Sequence, residues 1–139
     1  MRYTILIIVL FISTSVLLPQ NSSKIPDSLI IRTLLTTILD KDFTPDREVK
    51  VDYIELPPNT VLERHWHPGE EFHYYLEGEV EIKIEGESSI KGVPGTVGHV
   101  PYKKPHLAIA GKSGARILVF RVHTKGEPWR FIDTTEIKN

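Results

Sequence analysis

Cysteine is missing from the chain altogether. Its absence excludes a disulfide framework, a thiolate nucleophile, a cysteine-ligated metal and a cysteine-borne lipid anchor. A basic patch is missing too. The formal net charge is −1, and Lys103-Lys104 is the nearest approach to a basic run. Nucleic acid is therefore not an expected partner. The sequence also has no internal repeat and no low-complexity tract. What remains is an ordinary globular balance, 40% hydrophobic and 25% charged, over 139 residues, which is one domain's worth.

The amino terminus differs in kind from the rest. Met1-Arg2-Tyr3 precedes a nearly unbroken apolar run from Ile5 to Leu18, and Pro19 to Lys24 then turn polar. One positive charge, a short apolar stretch and a polar exit predict a secretory signal over residues 1–23. An uncleaved membrane anchor, a transmembrane helix, is one alternative, although the run is shorter than the ~20 residues that span a bilayer comfortably, and a core strand or helix of the domain is the bland one. Ser13 and Ser15 suit the small positions before a cut, but that cut would leave Val16-Leu17-Leu18 at the new terminus. The signal and anchor readings both put the protein outside the cytoplasm: exported to a periplasmic or extracellular space, or anchored and facing outward. Contact with a membrane is expected only through this segment.

The remainder reads as all-β. "EVKVDYIEL" (48–56) sets Val49, Val51 and Tyr53 against charged neighbours. "VEIKIEG" (80–86) sets Val80, Ile82 and Ile84 against Glu81, Lys83 and Glu85. "ARILVFRVH" (115–123) is almost wholly apolar, as a strand buried on both faces would be. Turn signals separate the runs, among them Pro57-Pro58-Asn59, Pro68-Gly69, Glu85-Gly86, Pro94-Gly95 and Gly111-Lys112-Ser113-Gly114. Short strands with a turn every eight to twelve residues indicate a sandwich or barrel. Residues 29–40 are ambiguous: an amphipathic helix capped by Asp27 or Ser28 is one reading, but the Thr and Ile content and the lack of Ala, Glu or Lys favour a strand.

Three of the six histidines fall within "HWHPGEEFHYYLEG" (65–78). Side chains alternate along a strand, so His65 and His67 share a face, with Trp66 opposite. After the Pro68-Gly69 bend, Glu71 opens a new strand and shares its face with His73 and Tyr75. Two imidazoles and a carboxylate can thus converge around a hairpin-like turn, a suitable donor set for a divalent transition metal. In "PHLAIA" (105–110), His106 shares a face with the small residues Ala108 and Ala110, as on a cavity wall. A set of surface hairpin polars is the bland alternative. His73 is read as a cavity-lining or satisfied core histidine, Glu70 as solvent-facing, His99 and His123 as structural. Trp66 and Tyr75 are read as packing. Arg121 lies in phase with Ile117 and Val119. An edge position is expected for it, with an interior anion-binding role as the alternative.

This spacing resembles the cupin family. His65-x-His67-x3-Glu71-x6-Gly78 fits the first cupin motif, G-x5-H-x-H-x3-E-x6-G, with Asn59 at the leading glycine. Gly95, Pro101 and His106 fit the second, G-x5-P-x-G-x2-H-x3-N, with Lys103 at the inner glycine and Ala110 at the asparagine. The resemblance implies a double-stranded antiparallel β-helix, or jelly-roll barrel, over residues 30–128, with 129–139 as a C-terminal tail. It implies one divalent transition metal (iron, manganese, nickel, copper or zinc) held by His65, His67, Glu71 and His106, with Glu71 also the candidate catalytic base. Four such ligands leave two adjacent octahedral positions open. The resemblance also favours a homodimer, with residues 29–39 as the candidate interface strand. Two classes of function follow: a metal-dependent enzyme on a small molecule, quercetinase-like dioxygenase chemistry foremost, or a non-catalytic cupin that binds or senses a small-molecule ligand.

Overall fold

A computed structural model describes residues 27–135, and all eight elements in them are strands. The apolar segment 1–23, with its expected signal or anchor role, lies outside the described residues. Among the described residues no helix is long and apolar enough to cross a membrane. The strands are β1 (Ile30–Ile38), β2 (Arg47–Leu56), β3 (His65–Trp66), β4 (Gly69–Ile84), β5 (Ile90–Gly92), β6 (Val97–Val100), β7 (His106–Thr124) and β8 (Phe131–Ile132). Every pairing among them is antiparallel.

Two long strands organise the fold. β7 pairs with β2 along Ala115–Thr124 and with β4 along nearly its whole length, and its first residue pairs with β3. The β4–β7 register jumps between Gly78↔Ala115 and Val80↔Ala110. Gly111 to Gly114, expected as a turn, is instead an irregularity inside a continuous strand, where both chains bend to curl the sheet into a barrel. Gly78 makes the bend possible. Its φ is +71°, and a Cβ there would lie 1.9 Å from the Gly114 carbonyl oxygen.

The core follows from period-two alternation. Val80, Ile82, Ile84, Ala108 and Ala110 are buried as expected, with Ile117, Val119 and Tyr75. Each fully buried Val, Leu or Ile contributes roughly 1.5–3 kcal/mol. Two faces differ from expectation. On β2 the residues in phase with the cavity are Asp52, Ile54 and Leu56 rather than Val49, Val51 and Tyr53. The reason is electrostatic: Asp52, 1% exposed, is the counterion of buried Arg121. β7 is central, with neighbours on both edges, yet its outer face is only partly covered, Phe120 being 39% exposed.

Residues 29–40 form a strand as expected. β1 is an edge, since it pairs only with β2 among the described residues. The C-terminal segment folds back onto the barrel. Phe131 and Ile132 pair with Trp66 and His65, the Trp66 and Phe131 rings stack at 4.3 Å, and Asp133 accepts from Arg64 Nε at 3.1 Å.

Candidate metal centre

The fold brings the three histidines of the two motifs together. His65 stands directly opposite His106 in the β3–β7 pairing, and their ring centroids are 4.4 Å apart. His67 follows β3 on the same buried face, 4.9 Å from His65 and 5.2 Å from His106. One ring nitrogen from each of the three lies within 4.8 Å of the others, and all three residues are buried. Together they can hold a metal ion.

Each imidazole is fixed from behind. Nδ1 lies 2.6 Å from the Glu63 carbonyl in His65, 2.5 Å from the Trp129 carbonyl in His67 and 2.9 Å from the Lys104 carbonyl in His106. A carbonyl only accepts, so Nδ1 carries the hydrogen in all three, and in the neutral ring that leaves the lone pair on Nε2. This is how proteins orient metal-ligating histidines. Burial, with the neighbouring His106, pulls the pKa of His65 down to about 3, so its ring stays neutral and available as a donor.

Glu71 faces the same point. Its Oε2 lies 2.8 Å from His67 Nε2, and its Oε1 3.6 Å from His106 Nε2. His67 Nε2 is buried and makes no hydrogen bond. Two lone-pair atoms at that separation, about the ~3 Å between neighbouring ligands bonded at ~2.1 Å, repel unless a proton lies between them or a metal cation sits beside both. The donor set therefore fits a divalent metal. Burial alone would raise the Glu71 pKa, but the Arg121 charge, then His73 and His67, hold the carboxyl well below the usual range.

Around the histidines runs a buried polar network. Arg121 donates from Nε to Glu71 and from Nη1 to Asp52, the latter at 2.6 Å. Thr33 Oγ1 donates to Asp52 at 2.8 Å. His73 Nε2 meets Glu71 Oε1 at 2.5 Å, and its Nδ1 meets the Tyr75 hydroxyl at 3.1 Å. Burial, reinforced by the Glu71 charge, raises the Tyr75 pKa and keeps the hydroxyl protonated. Arg121 thus lies in the barrel interior on a central strand, not at the expected edge. His99 is exposed on Glu70 at 2.6 Å. His123 is buried 3.2 Å from Glu48.

A cavity of about 70 Å³ opens over His65, His106, Glu71 and His73. That is room for roughly five to seven waters. Its walls are mostly aliphatic, and Leu29, Ile31, Trp129 and Arg130 also line it. Three contributors were not singled out from the sequence: Asp52, Trp129 and Arg130. Asp52 was detectable from its phase with Ile54 and Leu56. Trp129 reads from the sequence only as an apolar anchor of the polar tail, and Arg130 carried no signal, because their roles at the site depend on where the tail docks.

Residues 52–121, half of the chain, match the cupin domain family, and the protein belongs to it. The fold is similar to a cupin superfamily protein from Desulfitobacterium hafniense DCB-2, at TM-score 0.56 and 23% identity, over 70% of this chain and 79% of the other. It is also similar to the polyketide cyclase RemF from Streptomyces resistomycificus, at TM-score 0.56 and 24% identity, over 78% and 74%. The DMSP lyase DddQ from Ruegeria pomeroyi DSS-3 is similar at TM-score 0.56 and 21% identity, over 73% and 60%. At these identities the likeness is one of fold. No curated protein matches the chain.

Proposed function

We propose that the protein is a metal-dependent cupin enzyme acting on a small molecule, with one divalent transition metal held by His65, His67 and His106 and with Glu71 as the fourth ligand. The observation that carries this reading is the three Nδ1–H···O=C bonds, which leave three buried Nε2 lone pairs near one another. Bound there, such a metal supplies Lewis acidity and, if redox-active, the electrons that dioxygen chemistry needs. The chain's own part is to orient the donors, to line an aliphatic cavity that excludes water, and to hold a carboxylate between Arg121 and His73. Among the solved relatives are a polyketide cyclase and a DMSP lyase, which supports small-molecule chemistry without choosing a reaction. Dioxygenase chemistry is the first to assay. A flavonol, however, has about twenty non-hydrogen atoms, more than a cavity with room for roughly five to seven waters holds, so a smaller substrate than that of a quercetinase is favoured. Metal analysis of protein purified without chelator, paired with oxygen uptake, tests the reading. A metal content unchanged in His67→Ala would overturn it.

One observation favours the second reading, a binding module without turnover. Both Glu71 oxygens are engaged, one by Arg121 and one by His73, so Glu71 does not stand free as a base in the cavity.

Two further proposals concern the setting. The barrel works outside the cytoplasm, as the apolar run after Arg2 suggests; full-length product found soluble in the cytoplasm would refute this. The chain forms a homodimer through β1, whose Leu34, Leu35 and Ile38 are 58%, 48% and 57% exposed on an edge strand. Sedimentation showing only monomer at tens of micromolar (~10–50 µM) would refute that.

A further inference from the structure

The cations around the cavity are unequal. Arg121 is neutralised by Glu71 and Asp52, and Lys50 lies 3.6 Å from Asp52. Arg130 also lines the cavity, is half-buried, and has no carboxylate at ion-pair distance among the described residues. Its guanidinium carbon sits over its neighbour's ring, 4.6 Å from the Trp129 ring centroid. Trp129 is itself fixed, because its carbonyl accepts from His67. Arg130 is therefore held at the cavity by the segment that also orients a metal-site histidine. A partly desolvated guanidinium with no counterion among the described residues is an anion site of defined position.

The rest of the wall limits what the anion can carry. Ile54, Leu56, Leu62, Ile82, Ile117 and Val119 present only hydrocarbon, and nothing on that side would pair with a second charge. The other polar groups of the lining, Glu71 with Arg121 and His73 and the histidines His65 and His106, belong to the metal-site network, in which Glu71 is already engaged, and hydrocarbon makes up the rest; such a wall fits a small monoanion with an apolar body. The volume admits about five or six non-hydrogen atoms. We propose that the cavity takes a small aliphatic monoanion of the carboxylate type, and that Arg130 pairs with its anionic group and so sets specificity. The proposal names the substrate class for the site proposed above and rests on that reading for its chemistry.

The probes are butyrate, 1-butanol (the same body without charge) and oxalate (two charges without a body). Binding to the full chain is followed by NMR titration, in chelator-treated and in zinc-loaded protein, with zinc stoichiometry measured on the same samples. In chelated protein butyrate should bind at least tenfold more tightly than 1-butanol or oxalate. Arg130→Gln should remove roughly tenfold of the butyrate affinity and leave 1-butanol unchanged, while Arg130→Lys should retain part of it. Unchanged melting of either variant shows that the tail is still docked; if Gln unfolds it, the Lys variant carries the comparison. Butyrate affinity unchanged in the variant, oxalate binding more tightly than butyrate, or no butyrate binding would each overturn the proposal. Failure to take up zinc overturns the metal reading instead, and a butyrate preference that persists in chelated protein separates the two.

Discussion

Arg121 stands directly opposite Glu71 in the antiparallel pairing of β4 with β7, and its guanidinium bridges that carboxylate to Asp52 on the neighbouring β2. All three side chains are buried, at 3%, 3% and 1% exposure for Arg121, Glu71 and Asp52. Such a triad is not in itself a large source of stability, because desolvation offsets attraction, but removing one member strands the others.

Arg121→Met should accordingly cost about 3–5 kcal/mol in metal-free protein, by leaving two carboxylates buried together. Denaturant unfolding measures it. Combining Arg121→Met with Asp52→Asn should recover part of the loss. A single-variant cost below about 1 kcal/mol would mean that the triad is hydrated in solution.

Glu71→Gln should separate metal retention from turnover. Three imidazoles can hold a divalent ion without the carboxylate. Metal content should therefore stay largely intact, while activity, once a substrate is known, should fall on the order of 10²–10⁴-fold if Glu71 moves a proton. A metal-replete variant with wild-type turnover would leave Glu71 a structural role alone.

Metal-free protein should lose stability as the medium is acidified from about pH 6.5 towards pH 3. The folded state holds the His65 pKa at about 3, against 6.5 for an ordinary histidine, and burial lowers that of His123 as well. Between those values the unfolded chain binds protons that the folded chain refuses, so stability rises with pH through this window and falls as pH drops. His65 alone accounts for several kcal/mol, at about 1.4 kcal/mol per unit. Urea midpoints across the window measure the effect, and His65→Gln should flatten it.

Lys103→Gly should stabilise the protein. Lys103 occupies the inner glycine position of the second motif and keeps the glycine-like backbone, with φ of 56°. A left-handed conformation costs a non-glycine residue about 1 kcal/mol, so the melting temperature should rise by roughly 2–5 °C. Asn59→Gly, at φ of 58°, should gain less, since asparagine tolerates this region. Equal responses at the two sites would contradict that account.

Much of the fold was legible because period-two alternation is a local property. Val80, Ile82 and Ile84 marked their buried face unaided, and the Thr and Ile content of residues 29–40 favoured the strand that forms there over a helix. The metal donors were legible for a related reason. His65 and His67 share a face by alternation, and the motif spacing brought in Glu71 and His106. The β2 face was misread because two kinds of residue can point inward. A buried aspartate looks like a solvent-facing one until its cationic partner is placed.

The sequence by itself determined an all-β chain, a curled antiparallel barrel and three histidines able to meet in it, because strand alternation and turn chemistry act over a few residues. Only the tertiary structure decided that Arg121 lies inside between Glu71 and Asp52, that the Trp129 carbonyl orients His67 from 62 residues away, and that Arg130 lines the cavity. Those relationships join segments with no common local pattern. They depend on the free energy of burying charge, which is favourable only when the partner arrives from elsewhere in the chain.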